Sequence, residues 1–326
     1  MTEKEANEKL NSKEKETEYF NLSALHETQY AAVIKKSNDF SIIDDYAIEI
    51  GLSNFTYEYD SLKGLFGYFS KKEGMSLETQ KDFQNGDIFP VKSNPISLHS
   101  NSSYYQKLEK LTGGCSISYE NGDIYSGTAG AFFKLSDSQN IYMISNRHVI
   151  VDNDYGLETK IIHPSKTDAE KKEDISLIGK VFWTSKEKDD LLDAAIAIIY
   201  DEKTTVDIGK YSISNQLNFN SIAAPKIGQN IKKIGKTSGV TFGEIKSINC
   251  TVNITENIKK PKIYRKQILT TCISKPGDSG SVLLNNNNEV VGLLFGGNKL
   301  TASFSNNIMN IFNPIHPEIN NFSKFV

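Results

Sequence analysis

Cysteine is scarce in this chain: Cys115, Cys250 and Cys272 are the only three in 326 residues. So few thiols build no disulfide framework, and their spacing matches no metal site, so neither metal nor cofactor is expected. The composition suits free, mostly buried thiols in a reducing, cytoplasmic setting. An excess of charge of either sign is also missing, since 37 Lys and Arg against 40 Asp and Glu leave a formal net charge of −3. That balance argues against a nucleic-acid-binding surface as the main purpose. No apolar run approaches the ~20 residues that span a bilayer, so no membrane partner is expected. The opening stretch, "MTEKEANEKLNSKEKETEYF", is charged from its third residue and has no apolar centre, so it is not expected to act as a signal peptide. No internal repeat is visible.

What is present is ordinary globular material, 38% apolar and 24% charged, enough for one large or two modest domains. The texture changes near residue 100. Glu3 to Glu18 is a mixed-charge run that reads as solvated helix or disorder, and Asn21 to Lys36 has the spacing of a helix. "DIFPVKSNPISLHSNSS", from Asp87 to Ser103, reads as a linker. Residues 1–105 are therefore expected to form an N-terminal extension or small module, one that restrains the rest of the chain, docks it to a regulatory partner, or merely caps exposed strand edges. Residues 106–326 read differently. "GCSISY", "GTAGAFFKL", "NIYMISN", "LIGKVFW", "AAIAIIY", "QILTTCI", "SGSVLL" and "EVVGLLFGG" are short strands punctuated by turn clusters such as "YENGD" and "NNNN". Many short strands with little helix predict a mainly β barrel or sandwich.

One turn stands out. "SKPGDSGSVLL", Ser274 to Leu284, places two glycines around an Asp-Ser pair just before a strand. Gly, Asp and Ser fill turns anyway, so a plain turn is the bland reading. The sharper reading is a turn that presents Ser279 as a nucleophile, and this needs a base and an orienting acid. Of the five histidines, His26, His99, His163 and His316 lie in a helix, a linker, a "HP" pair and a proline-flanked tail. His148 alone follows a strand end, in "IYMISNRHVIVDN". Asp193 directly precedes seven apolar residues, where a carboxylate is either a strand cap or a desolvated partner for a cation. Asp189 and Asp190 read as a solvated loop. His, Asp and Ser in this chain order, each at a strand edge, meet the requirements of acyl transfer.

From about Gly113 to its end the chain resembles the chymotrypsin-like (trypsin-fold) serine proteases, and within them the bacterial and plant Narrow-leaf-type branch. The matching stretches are "GTAGAFF", "ISNRHVIVD", "DAAIAI", "KIGKTSGVTFGEI", "PGDSGSVL" and "VVGLLFGG". One departure is that Asn146 and Arg147 replace the usual alanines before the histidine. The resemblance implies two antiparallel β-barrels of the chymotrypsin type with the active site between them. It implies that His148, Asp193 and Ser279 form a catalytic triad, with the backbone N–H groups of Gly277 and Ser279 as the oxyanion hole. It also implies a primary substrate pocket with Ile273 as its floor, Ser274 beside it, and Gly296 and Gly297 along the wall.

Other features carry less. "KKPKIYRK", Lys259 to Lys266, reads as a solvated hairpin face, His163 and Pro164 as structural, and "KLTGGC" as the start of the first strand rather than a processing site. The leading expectation is a cytoplasmic serine endopeptidase acting on a specific protein or peptide substrate. The alternatives are an inactive protease-fold scaffold that binds peptides, and a protein that processes only itself.

Overall fold

The most apolar runs of the chain, "NIYMIS" and "AAIAIIY", lack the polar alternation of a half-exposed strand. A strand of that kind is stable only with both faces covered. The computed structural model covers both; it describes residues 2–11, 28–35, 46–52, 107–122, 126–134, 138–200, 205–206, 221–254, 262–297 and 302–312.

Near the N-terminus lie helix α1 (Glu3–Leu10) and strands β1 (Thr28–Lys35) and β2 (Tyr46–Leu52). The first half of the catalytic region holds β3 (Lys110–Leu111), β4 (Ser116–Tyr119), β5 (Gly127–Thr128), β6 (Ala131–Lys134) and β7 (Ile141–Ser145). It continues through α2 (Arg147–Ile150), β8 (Lys160–His163), β9 (Ser176–Thr184), β10 (Ala195–Ile199) and β11 (Thr205–Val206). The second half holds β12 (Ser221–Ile222), β13 (Asn230–Gly235), β14 (Gly239–Ile254) and β15 (Lys262–Thr271). After these come β16 (Val282–Asn285), β17 (Glu289–Gly297), β18 (Ala302–Asn307) and α3 (Ile308–Ile311).

Seven strands of the first half form one curled sheet in the order β5-β4-β8-β9-β10-β7-β6. In the second half β13 pairs with both β14 and β16, so β13, β16, β17, β18, β15 and β14 close on themselves. The fold is mainly β and of the two-barrel trypsin-like type, as the sequence predicts.

Strand alternation shares the apolar side chains between three cores. In β7, Ile141 and Met143 point into the first barrel, while Tyr142 and Ile144 point out of it. In β10, Ala195, Ala197 and Ile199 point in and Ile196 points out. The outward set meets Ile234, Val282, Leu284, Val290 and Leu293 of the second barrel, together with Ile308 and Ile311 of α3. Leu283 of β16 faces the other way, into the second barrel's own core with Ile231, Ile245 and Ile268. A one-residue slip of β7 or β10 would exchange a barrel core for the inter-barrel seam, so register is strongly specified. His163 is structural, as expected. Burial pushes its pKa down to about 4, and its neutral ring bonds Ser116 O (2.7 Å) through Nδ1 and accepts Leu108 N–H (3.0 Å) at Nε2.

One sequence expectation changes. The helix read over Asn21 to Lys36 is a strand where it is described: β1 pairs antiparallel with β2 along its length and with β14 at residues 250–252. The β-branched Thr28, Val33 and Ile34 suit that pairing, and the sheet edge overrides local helix propensity. Where it is described, the N-terminal region packs on the second barrel. The β1–β2 hairpin continues the second barrel's sheet, Ala6 of α1 is fully buried, and Asn249 Nδ2 donates to Asn7 Oδ1 (2.5 Å). The expected linker at residues 87–103 lies outside the described residues.

A chain truncated to begin at Leu108 therefore uncovers the β14 edge. The expected outcome is a lower thermal midpoint and concentration-dependent association by light scattering, because an unpaired edge recruits other chains. Equal midpoints and no association would show that β1 contributes nothing to the barrel.

Candidate active site

Antiparallel pairing of β7 with β10 sets Ser145 opposite Ala195. The residues just beyond these two, Asn146 to His148 and Asp193, therefore share one end of the first barrel. The Asp193 carboxylate is almost fully buried and grips His148 twice: Oδ2 meets Nδ1 at 2.5 Å and Oδ1 accepts the His148 backbone N–H at 3.1 Å. The His148 side chain is 44% exposed. Burial pushes the Asp193 carboxyl up, but the adjacent imidazole and its hydrogen bonds outweigh that and hold it below the ordinary carboxylate value. The Asp193 backbone is pinned as well. Asn146 Nδ2 donates to Asp193 O (2.7 Å), and Asp193 N–H donates to Asn306 Oδ1 (2.6 Å). Asn146, the departure from the family pattern, thus gains a positioning role. Asn306, on β18 of the second barrel, was not legible in the sequence.

Ser279 lies across the cleft in a turn held from below. Asp278 and Lys233 are both fully buried and meet at 2.9 Å. Asp278 also accepts the N–H groups of Thr237 and Ser238 (both 3.0 Å) and of Lys275 (2.9 Å), and the Ser238 hydroxyl (2.5 Å). Burial pushes the Asp278 carboxyl up, but Lys233 and these donors win, so it stays ionised below the ordinary carboxylate range. Gly235 leaves the room for this, since a Cβ there would collide with the Asp278 carboxylate. Gly277 has φ +97°, a conformation that side chains disfavour. The N–H groups of Gly277 and Ser279 meet no acceptor among the described residues. The Ser279 hydroxyl donates to Phe295 O at 3.2 Å.

His148 and Asp193 pair at one end of the first barrel, and the second-barrel turn that carries Gly277 and Ser279 is bonded by Thr128 of the first barrel. Asp189 and Asp190 serve elsewhere. Asp189 Oδ1 accepts the N–H groups of Leu191 (2.8 Å) and Leu192 (3.0 Å), and Asp190 pairs with Arg265 across the barrels. Of the four residues expected to form the pocket, Ile273 is buried. Its side chain is 1% exposed and packs in the second-barrel core with Ile231 and Leu283, because inward alternation from β15 continues into it. Ser274 Oγ lies 2.8 Å from Ser303 Oγ, and a Cβ on Gly297 would sit 2.6 Å from that Ser274 oxygen. A Cβ on the neighbouring Gly296 would make an ordinary contact with Ile254 Cδ1, at 3.8 Å. Ser303 was missed in the sequence, as were Lys233 and Asn306. In "KLTGGC", Leu111, Thr112 and Cys115 are buried and Gly114 N–H donates to Ala129 O (2.8 Å).

Lys233→Met leaves Asp278 charged, buried and without its cation. The expected loss is about 3–5 kcal/mol of unfolding free energy by urea titration at pH 7. Because the Asp278 pKa is depressed on folding, its stabilisation is complete above the ordinary carboxylate value. It is lost as pH falls through the folded value, so the deficit of the variant should shrink in acid. A deficit that is the same at pH 7 and pH 3 would mean that the pair does not set it.

The family model for trypsin matches residues 116–321. No curated protein matches the chain. Among solved structures, Thermobifida fusca Protease A is 18% identical, with 66% of this chain and 97% of that one covered and a TM-score of 0.47. Nocardiopsis protease (NAPase) is 16% identical, with 65% and 97% covered and a TM-score of 0.47. Cellulomonas bogoriensis chymotrypsin is 18% identical, with 63% and 96% covered and a TM-score of 0.46. The family match spans both barrels and every residue of the site just described, and the chain belongs to the trypsin family of serine endopeptidases.

Proposed function

We propose that this endopeptidase works through a His148–Asp193–Ser279 triad and an acyl-enzyme intermediate. The observation that carries the reading is the buried Asp193 carboxylate on Nδ1 of a half-exposed His148, at 2.5 Å. A carboxylate there keeps the proton on Nδ1 and leaves Nε2 as the base. Ser279 turns its hydroxyl from Phe295 O toward that nitrogen, loses its proton and attacks the scissile carbonyl. Gly277 and Ser279 N–H groups receive the oxyanion, each typically worth ~3 kcal/mol. His148 then gives the proton to the leaving amine.

The finer assignments belong to the same proposal. "KTSGVTFGEI" supports the Narrow-leaf-type branch and a bacterial type of enzyme. Three free, buried cysteines suit a cytoplasmic setting and a specific intracellular protein as substrate. The N-terminal region, docked on the second barrel, is where a regulatory partner would act.

A fluorophosphonate should label Ser279 in the wild-type chain and not in Ser279→Ala. His148→Ala and Asp193→Asn should each cost at least about three orders of magnitude in peptidase activity while the fold persists. A folded wild-type chain that takes no label would instead be a peptide-binding scaffold, and an intact mass short of the full chain would point to self-processing.

The pocket supports small residues before the cut. Ser274, Ser303 and Gly297 crowd together, and among the described residues no carboxylate is in contact with them to pair a buried cation, whose burial alone is costly. Profiling on a peptide library should return Ala, Ser or Val at that position. Efficient cleavage after Arg or Lys would overturn this.

A further inference from the structure

The stretch "KIGKTSG" carries two lysines with different partners. Lys233 serves Asp278, whereas Lys236 leaves the second barrel altogether. Its ammonium, 6% exposed, meets Asp168 Oδ2 at 2.6 Å. The same oxygen accepts the hydroxyls of Ser116 (2.5 Å) and Ser165 (2.8 Å), all three being first-barrel residues. The backbone of Lys236 makes a second crossing, its N–H donating to Thr128 Oγ1 at 3.0 Å.

Thr128, on β5, is the point where this network touches the nucleophile turn. Its hydroxyl donates to Gly277 O (2.9 Å), and its N–H donates to Ser279 O (2.8 Å). Both carbonyls that flank Asp278 are therefore held by one first-barrel residue. The hydroxyl's single proton is spent on Gly277 while Lys236 N–H occupies a lone pair, which leaves one orientation for it. The peptide joining Gly277 to Asp278 is fixed at both ends, since Asp278 N–H donates to Lys275 O (3.0 Å). The Lys236 stem also fills the side of Gly277 where a Cβ would lie, 2.9 Å from its Cε.

We propose that Asp168, Lys236 and Thr128 form an inter-barrel latch, through which docking of the first barrel orients the Gly277 turn to receive the oxyanion. Lys236 and Thr128 are positioning residues, and neither touches the reacting atoms. The inference rests on the reading of Ser279 as nucleophile. Breaking the latch leaves the triad intact but lets the oxyanion donors wander, so the bond-forming step slows while ligand binding does not.

The test uses the full chain and saturation kinetics of fluorophosphonate labelling at Ser279. Thr128→Val should lower the limiting labelling rate about ten-fold or more, with half-saturation unchanged within about two-fold. Thr128→Ser, which restores the hydroxyl, should return the rate to within about three-fold of wild type. The Thr128→Val/Lys236→Met double variant should be no more than about two-fold slower than Thr128→Val, because one latch is broken once. Asp168→Asn, at the rim of the network, gives a second reading should Thr128→Val not fold; it should slow labelling several-fold with the thermal transition still cooperative. A wild-type rate in Thr128→Val or in Asp168→Asn would overturn the latch. So would a Thr128→Ser rate as low as that of Thr128→Val, or losses that multiply in the double variant. Absence of label on the wild-type chain would take down the nucleophile assignment and the latch with it.

Discussion

The structure turns on a single ion pair sealed away from water. Lys233 and Asp278 are both fully buried, a state that two charges tolerate only when the Coulombic gain is joined by further hydrogen bonds. Here the carboxylate gathers donors from Thr237, Ser238 and Lys275, so strand β13, the β13–β14 turn and the serine turn must all be in place together. The pair specifies a geometry more than it adds net stability. It also supplies Asp278 with a cation from strand β13.

Around this anchor, apolar and polar contacts divide the work of joining the barrels. The seam of Ile144, Ile196, Val282 and Leu293 removes apolar area from water, a favourable term with no directional preference. Direction comes from polar ties at its rim: Asp193 to Asn306, Gln267 Nε2 to Leu191 O (2.8 Å), and Thr128 to the serine turn. Such ties carry angular information that close packing of aliphatic side chains lacks. Both catalytic rims are thereby tied to the opposite barrel through backbone groups, which are stiffer than side chains.

How much of this was legible depended on whether the signal was local. The serine turn, the histidine after a strand end and an aspartate ahead of an apolar run are patterns within a dozen residues. The barrels follow from strand texture. What stayed hidden depends on partners distant in sequence. Asn306 and Asp193 are 113 positions apart, and nothing near either one announces the other. Lys233 had a faint signal, since period-two alternation places it on the inward face with Ile231 while Ile234 joins the seam. A lysine at such a position demands a buried anion. The strand at residues 28–35 was misread because a sheet edge, not local propensity, decides it.

The division of the site between two barrels has a consequence for biosynthesis. The histidine–aspartate couple is supplied by β7, α2 and the approach to β10, although the Asn306 tie that pins the Asp193 backbone comes from the second barrel. On the proposed mechanism, serine, oxyanion donors and pocket all come from chain that the ribosome delivers later. A nascent or half-folded molecule therefore carries a base with nothing to activate. Proteolytic capacity arrives only when the two halves meet, as the last event of folding and never as a by-product of its early stages.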